Sequence, residues 1–184
     1  MTRRAVFLDR DGVINEPVIH DGRPYPPSFD QLVLVPWARE SLIRLRQKGF
    51  LLIVVTNQPD VRRKKTTQEE IERIHRTLSA RLPLDDFFTC FHDDGDACDC
   101  RKPLPGLIRQ AAAKYDIELE NSYVIGDRWR DIDAGAAIGC RTVFIDKGYK
   151  ERMPERSADK QVLSIVEAVD WILVQESVPA STRR

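Results

Sequence analysis

Polar side chains of complementary chemistry stand at four separate places in the 184-residue chain. They are Asp9 and Asp11, Thr56 and Asn57, Lys102, and Asp127. Carboxylate oxygens are ligands that Mg²⁺ prefers, and a carboxylate beside that ion is also a nucleophile that can form an aspartyl-phosphate. The hydroxyl, amide and ammonium groups are donors able to hold phosphate oxygens. The combination suits phosphoryl transfer, in which positioning and charge neutralisation do most of the work.

The pair Asp9 and Asp11, in VFLDRDGVIN, has a second interpretation when taken alone. Asp-Gly is common in turns, and Asp is a common helix cap. Because the three other places carry matching chemistry, the chemical interpretation is preferred.

A metal-binding pattern lies in CFHDDGDACDC, which contains three of the four cysteines and one of the three histidines. Cys90, His92, Cys98 and Cys100 supply three sulfurs and one imidazole, enough to close a tetrahedral Zn²⁺ site with no open position. The short spacings differ from those of nucleic-acid-binding fingers, and no recognition helix follows. The cluster therefore predicts a structural zinc site.

Other uses of the cysteines and basic residues are less favourable. A catalytic thiol has no spare histidine, because His20 and His75 fall on a predicted loop and a predicted helix. Cys140 leads into an apolar strand and is expected in the core. The basic run RRKK at 62–65 is interpreted as a solvated loop.

The elements that position these residues are short apolar runs alternating with amphipathic helical stretches. Strands are predicted at 4–8, 50–55, 87–91, 123–126, 142–145 and 160–163. Thr66 with Glu69, and Ser164 with Glu167, predict two helix starts. Such alternation predicts the α/β class, a Rossmann-like open parallel sheet with helices on both faces. Because ligands bind beyond the carboxyl ends of such strands, the polar residues that follow them are expected to meet there.

Composition excludes several classes of function. Lys plus Arg and Asp plus Glu both number 29, so the net charge is zero and a general nucleic-acid binder is not expected. The first apolar run, at residues 5–8, is too short for a signal peptide or a membrane span. We expect a cytoplasmic monomer with no membrane partner and, in that reducing compartment, no structural disulfide.

Four motifs, in order, resemble those of the haloacid dehalogenase-like phosphatases: DRDGV (9–13), TNQ (56–58), CRKPLPG around Lys102, and GDRWRD (126–131). The resemblance covers residues 4–149. Within this family the chain is most similar to the heptose-bisphosphate 7-phosphatases and the histidinol-phosphate phosphatases, and its zinc loop resembles theirs. The sequence departs from the heptose-bisphosphate phosphatases at Lys64, a position at which those enzymes commonly have a glycine.

The resemblance implies roles in catalysis and metal binding. Asp9 would be the nucleophile, and Asp11 would protonate the leaving alcohol and then deprotonate the attacking water. Mg²⁺ would be held by Asp9, the backbone carbonyl of Asp11 and Asp127, with Asp131 behind these ligands.

The resemblance also implies how substrate is held. Thr56, Asn57 and Lys102 would hold the transferring phosphoryl group, while Arg101, Arg128, Asn57 and Gln58 would contact the rest of the substrate. The zinc cluster ends one residue before Arg101 and Lys102, so zinc would brace both cations against the phosphate.

The domain organisation and the substrate follow from these elements. Residues 1–175 are expected to form one domain, with a disordered tail at 176–184. The insertion at 14–35 is too short and proline-rich for a cap domain, so this loop and the zinc loop would wall the site. A small phosphorylated sugar, in particular a heptose bisphosphate, is the favoured substrate, and histidinol phosphate is the alternative. A 3′-phosphatase of nucleic-acid ends and an inactive binding module are less favoured. An inactive module would be expected to lose at least one of Asp9, Asp11, Lys102 and Asp127, and all four are present.

Overall fold

A computed structural model of the chain describes residues 2–177. The strands are β1 (Ala5–Leu8), β2 (Val18–His20), β3 (Arg23–Tyr25), β4 (Leu51–Asn57), β5 (Asp86–Cys90), β6 (Tyr123–Gly126), β7 (Arg141–Ile145) and β8 (Lys160–Val162). The helices are α1 (Ala38–Gln47), α2 (Gln68–Arg81), α3 (Gly106–Tyr115), α4 (Trp129–Ala136) and α5 (Ile165–Ser177).

The predicted α/β class is confirmed. A six-stranded sheet has the order β5-β4-β1-β6-β7-β8, and its neighbouring strands run parallel. The predicted strand bounds agree to within two residues. The insertion before α1 also contains an antiparallel hairpin, β2 with β3, which the sequence did not predict because its strands have only three residues each.

The sheet buries both faces because alternate strand residues point to opposite sides. On one face, Val6 and Leu8 of β1 pack with α1, α2 and α5 through an apolar cluster that includes Leu42, Ile74 and Ile172. On the other face, Phe7 packs with α3 and α4. Strands buried on both sides read as continuous apolar runs, which is the pattern that β1, β4 and β6 show.

The structure corrects one of the two predicted helix starts. The predicted cap Thr66 is wrong by one residue: Thr67 is the N-cap of α2, and its hydroxyl accepts a hydrogen bond from the Glu70 amide at 3.2 Å. Two adjacent threonines each have an acid three residues on, so the pattern fits either. The predicted cap of α5 is confirmed, since the Glu167 amide donates to Ser164 Oγ.

The C-terminal boundary also differs. Residues 176 and 177, predicted to begin the tail, are the last residues of α5. There Glu176 accepts a hydrogen bond from the Tyr123 hydroxyl. The rest of the predicted tail, 178–184, lies outside the described residues. Within the described range, none of the helices has the length and apolar character needed to cross a bilayer.

Candidate active site

The sheet register brings the carboxyl ends of three strands to one edge. Leu8 at the end of β1 is level with Val54 of β4 and with Ile125 of β6. Asp9 follows Leu8 directly, and Asp127 follows β6. The predicted convergence of strand-end residues is therefore a consequence of strand pairing, and these two carboxylates leave the same edge of the sheet.

Gly12 allows the turn after β1 to pass close to the β6 end. It has φ +94°, and a Cβ added there would lie 1.7 Å from Asp127 Oδ2. A side chain at this position would therefore both strain the backbone and displace the carboxylate.

Three carboxylates and one ammonium form the centre of the site. Asp9, Asp127 and Asp131 offer oxygens that all lie within 4.8 Å of one another. Lys102 Nζ lies 2.8 Å from Asp9 Oδ1 and 2.5 Å from Asp131 Oδ1. It also donates to the Val55 carbonyl at 2.6 Å. All four charged residues are buried. Asp131, predicted to stand behind the metal ligands, is thus part of the same cluster as Asp9 and Asp127.

Burial and mutual repulsion dominate the electrostatics of this cluster. Burial raises the pKa of Asp9 to about 6, the Asp131 carboxylate adds to the rise, and the Lys102 ammonium partly offsets it. Burial together with Asp9 and Asp131 raises the pKa of Asp127 well above its usual value. For Lys102, burial opposes the charged form, yet Asp131 and Asp9 hold its pKa above the usual range.

The donor set fits a divalent cation. Three ionised carboxylates against one ammonium would leave two negative charges uncompensated in a buried site, which is unfavourable without a counter-charge. Asp127 Oδ2 accepts a hydrogen bond from the Tyr149 hydroxyl at 2.9 Å, whereas Asp127 Oδ1 is buried with no partner. An all-oxygen site of this kind suits Mg²⁺, which Asp9, Asp127 and Asp131 could hold.

Asp11 lies beside this cluster with its carboxylate held by neutral and cationic donors. Asn15 Nδ2 donates to Oδ1 at 2.9 Å, and Gln58 Nε2 donates to Oδ2 at 2.9 Å. Arg10 donates to both oxygens. Gln58, predicted to contact substrate, is fully buried and lies behind Asp11, where its amide also donates to Thr56 Oγ1.

Asn57 positions Lys102. Its side-chain amide donates to the Lys102 carbonyl and accepts from the Lys102 amide, both at 3.1 Å. These two hydrogen bonds lock the backbone of the lysine onto the end of β4. The Asn57 side chain, predicted to hold phosphate, is therefore hydrogen-bonded to the backbone of Lys102, whose ammonium carries the positive charge of the site.

A cleft opens above these groups. Its floor is formed by Asp9, Asp11, Thr56 and Lys102, and the hairpin residues Pro24, Tyr25 and Pro26 wall it. Farther out, a space of ≈ 210 Å³ is lined by five arginines and three acids: Arg23, Arg63, Arg101, Arg128, Arg130, Asp60, Asp94 and Glu151. The expectation that only the insertion and the zinc loop wall the site is incomplete, because Glu151 comes from the segment after β7.

The two arginines predicted to contact substrate both line the outer cleft, and both are paired with acids. Arg101 Nε lies 2.9 Å from Asp94 Oδ1, and Arg101 also donates to the His92 carbonyl. Arg128 donates two hydrogen bonds to Glu151. Both guanidinium groups line the cleft, and a neighbouring carboxylate orients each of them.

The four predicted zinc ligands converge. The donor atoms of Cys90, His92, Cys98 and Cys100 lie within 4.8 Å of one another. Cys100 Sγ is 3.0 Å from Cys90 Sγ and 3.3 Å from His92 Nδ1. A disulfide would bring sulfurs to about 2.05 Å, so these are free thiols. Burial raises the pKa of Cys90 and Cys100, and a bound zinc ion would hold them as thiolates. The set fits Zn²⁺.

The basic run at 62–65, interpreted from the sequence as a solvated loop, also forms specific ion pairs. Arg63 pairs with Asp93 of the zinc loop, with Nε 2.7 Å from Oδ2, and Arg62 pairs with Asp96. Lys64 has φ +59°, a left-handed conformation that explains why glycine suits this position in the family. The run therefore ties the connection between β4 and α2 to the zinc loop.

Sequence reasoning missed Arg10, Tyr149 and Glu151. Arg10 stands between two aspartates, and the motif does not show which of them its side chain holds. Tyr149 and Glu151 follow β7, a strand whose carboxyl end carries no recognisable motif. Only their position in the sequence indicates these two residues. They follow a strand of the same sheet, and ligands bind beyond the carboxyl ends of such strands.

Comparison with known proteins identifies relatives of the chain. Residues 99–170 match the HAD-hydrolase-like family model. The chain is 32% identical over 150 residues to the D-glycero-beta-D-manno-heptose-1,7-bisphosphate 7-phosphatase of Bordetella bronchiseptica, covering 79% of this chain and 82% of the relative. It is 33% identical to the enzyme of that name from Pseudomonas aeruginosa, covering 80% and 84%.

Solved structures show the same fold. The crystal structure of D,D-heptose 1,7-bisphosphate phosphatase from B. bronchiseptica, complexed with magnesium and phosphate, superposes with a TM-score of 0.79 at 29% identity, covering 94% of this chain and 99% of that one. The corresponding phosphatase from Burkholderia thailandensis has a TM-score of 0.64 at 26% identity, covering 93% and 99%.

Proposed function

Because the chain belongs to the haloacid dehalogenase-like phosphatases, which hydrolyse phosphate monoesters, we propose that it removes a phosphate from a small phosphorylated sugar with Asp9 as nucleophile. The observation that carries this proposal is the buried cluster of Asp9, Lys102, Asp127 and Asp131 at the strand ends, with an unpartnered Asp127 oxygen. Such a cluster is unfavourable for folding alone and suits a site that binds a cation and a phosphate together.

The first half of the reaction forms a covalent intermediate. An Asp9 oxygen attacks phosphorus, the bond from phosphorus to the leaving oxygen breaks, and an aspartyl-phosphate results. Asp11, on the cleft floor beside Asp9, gives a proton to the leaving oxygen. Lys102, held against Asp9 at 2.8 Å, neutralises charge on the phosphoryl oxygens.

The second half releases phosphate. Asp11, now a carboxylate, takes a proton from water, the water oxygen attacks phosphorus, and the Asp9 carboxylate leaves. Thr56 lines the floor and can donate its hydroxyl to a phosphoryl oxygen. Mg²⁺, held by Asp9, Asp127 and Asp131, would supply charge neutralisation for this phosphoryl transfer. The Asp11 backbone carbonyl stays a further proposed ligand.

The outer cleft supports a substrate with a second anionic group. Arginines outnumber acids there by five to three, and Arg101 and Arg128 both line that space together with Tyr25 and Arg130. We therefore propose D-glycero-D-manno-heptose 1,7-bisphosphate as substrate, with loss of the 7-phosphate. The names of the relatives specify the β anomer, and we propose that anomer here.

The remaining proposals concern the protein as a whole. We propose that the single catalytic domain predicted at 1–175 extends to the end of α5 at Ser177, and that the protein acts as a monomer. The free state of the four cysteines supports a reducing, cytoplasmic location. Zn²⁺ is proposed as a structural ion at the cysteine cluster.

Phosphate release from a panel tests the function. The panel contains both anomers of the heptose bisphosphate, histidinol phosphate and a 3′-phosphorylated DNA end, each with Mg²⁺ and with wild type or Asp9→Asn. We expect the heptose bisphosphate to have the highest kcat/KM and Asp9→Asn to be inactive. A preference for histidinol phosphate would overturn the substrate, and turnover by Asp9→Asn would overturn the mechanism.

A further inference from the structure

Arg10 is a charged side chain with no exposure to solvent. It has 0% relative accessibility and is the largest side chain among those the structure buries fully. Burying a guanidinium is costly unless it is paired and hydrogen-bonded, so an arginine kept in this position needs a specific partner. Its neighbours identify that partner.

The guanidinium holds the carboxylate of the next residue. Arg10 Nε and Nη2 lie 3.0 and 2.9 Å from Asp11 Oδ1, and Nη2 lies 2.9 Å from Oδ2. The Arg10 carbonyl accepts hydrogen bonds from the Ile14 and Asn15 amides, which curls the chain back over the pair. The two adjacent side chains therefore meet within one tight turn.

A histidine of α2 supports the far side of the guanidinium. His75 Nε2 lies 3.4 Å from Arg10 Nη1, and the imidazole stacks on Phe87 with ring centroids 4.4 Å apart. Burial and the Arg10 charge lower the pKa of His75 to about 3, so the ring is neutral at neutral pH. A neutral imidazole can accept a hydrogen bond from the guanidinium at Nε2 when its proton is on Nδ1.

Asp11 is consequently held from several directions. Arg10, Asn15 and Gln58 together give both of its oxygens donors, while its side chain keeps 13% exposure toward the cleft. Asn15 and Gln58 are neutral and could serve a carboxylate or an acid. The rigid, two-pronged contact of a guanidinium fixes the plane of the carboxylate, which a single amide donor does not.

We propose that Arg10, supported by His75, is a positioning residue that orients the Asp11 carboxyl group for proton transfer to the leaving oxygen. This inference rests on the proposed acid–base role of Asp11. A misplacement of about 1 Å can lower a rate about 100-fold. Loss of the orientation should therefore slow the release of leaving groups that need a proton and spare the release of those that do not.

The test compares two leaving groups. Expulsion of a sugar alkoxide needs the proton, whereas p-nitrophenolate leaves as a stable anion. Because Asp11 also activates water in the second half with either substrate, the readout is the rate of leaving-group release in a single turnover. We expect Arg10→Gln to lower that rate about 10- to 100-fold for a sugar bisphosphate, with substrate affinity nearly unchanged, and less than about 3-fold for p-nitrophenyl phosphate. Arg10→Lys keeps the charge but lacks the two-pronged guanidinium, so it should give an intermediate loss of rate with the sugar bisphosphate.

Two further variants keep the test decisive if Arg10→Gln does not fold. His75→Gln removes the support behind Arg10 and should show the same leaving-group selectivity at a smaller size. Arg4→Gln breaks an ion pair with Glu176 far from the site and serves as a matched control for lost stability. It should affect both substrates equally.

The outcome with Asp11→Asn separates this inference from the function on which it rests. Equal loss of leaving-group release from both substrates in Asp11→Asn would overturn the role of Asp11 as the acid of the first half. If Asp11→Asn is selective for the sugar substrate, Arg10→Gln should add little to it, because the two act as a unit. An Arg10→Gln variant that slows leaving-group release equally for both substrates, or whose effect adds in full to that of Asp11→Asn, would overturn the positioning role.

Discussion

Removal of zinc should release Arg101 while leaving Lys102 in place. The chosen change is Cys98→Ser, because Cys98 is only half-buried, whereas Cys90 and Cys100 pack in the core between the sheet and α3. The matched control is Cys140→Ser, which removes a buried thiol outside the cluster. Only the first substitution should lower the zinc content.

The magnitudes show why the loop depends on the metal. A structural zinc site contributes on the order of 10 kcal/mol. Residues 93–99 contain no buried residue, so the loop has no apolar core of its own. Ion pairs such as Arg63–Asp93 and Arg101–Asp94 remain, but partly exposed pairs contribute about 1 kcal/mol or less each. They cannot replace the ion, and the loop should become mobile.

The two cations at the end of the loop should respond differently. Arg101 is oriented by the His92 carbonyl and by Asp94, both within the loop. The Lys102 backbone is instead locked to Asn57 by two hydrogen bonds. A hydrogen bond to a charged group contributes about 1.5–3 kcal/mol, so loss of Arg101 should raise KM about 10- to 100-fold. The value of kcat should fall less than about 3-fold.

The assay measures zinc per chain, circular dichroism and phosphate-release kinetics on a sugar bisphosphate and its monophosphate counterpart. The rise in KM should be confined to the bisphosphate, whose second phosphate would contact Arg101. A Cys98→Ser variant that loses zinc but keeps a normal KM would refute the reasoning. A fall in kcat at constant KM would show that the zinc holds Lys102, and complete unfolding would show that the loop belongs to the core.

Three other perturbations give further checks. Asp9→Asn, or wild type in excess EDTA, should release no phosphate above background in the panel assay; residual turnover with magnesium demonstrably removed would contradict the proposed site. Gly12→Ala places a Cβ 1.7 Å from Asp127 Oδ2 at φ +94°, so it should lower stability by at least about 1–2 kcal/mol and weaken the Mg²⁺ dependence of activity; unchanged magnesium titrations would argue against this contact. The pKa of His75 is about 3 in the folded state against 6.5 in the unfolded state, so the folded state binds fewer protons. The free energy of unfolding therefore falls as the pH drops below 6.5, by about 2 kcal/mol at pH 5. Denaturant titrations of His75→Gln should lack that loss between pH 7 and pH 5, and an unchanged pH dependence would contradict a neutral, half-buried His75.

Residue type and spacing along the chain were sufficient for the sheet and for the positions of the chemical groups. Strands buried on both faces appear as apolar runs, and the polar residue after each run must leave at the carboxyl edge. That rule alone placed Asp9 and Asp127 together. The zinc ligands were equally local, because four donors within eleven residues can meet with little help from the rest of the fold.

Contacts between distant residues were decided only by the tertiary structure. Lys102 and Asp9 are 93 residues apart, and Gln58 and Asp11 are 47 apart. Periodicity specifies which residues are buried, but not which of several buried polar groups becomes the partner of another. Hence Asn57 and Gln58, expected at the substrate, are engaged with Lys102 and Asp11.

The same reason explains Arg10 and Asp131. Both lie inside motifs that the sequence singled out, yet neither motif shows the direction of the side chain. Arg10 turns toward Asp11 because the chain curls at Gly12 and because α2 brings His75 behind it. Asp131 reaches Lys102 because α4 begins directly after β6. Sequence determined which chemical groups are present at this edge of the sheet, and the packing of α2, α4 and the zinc loop decided which group each one faces.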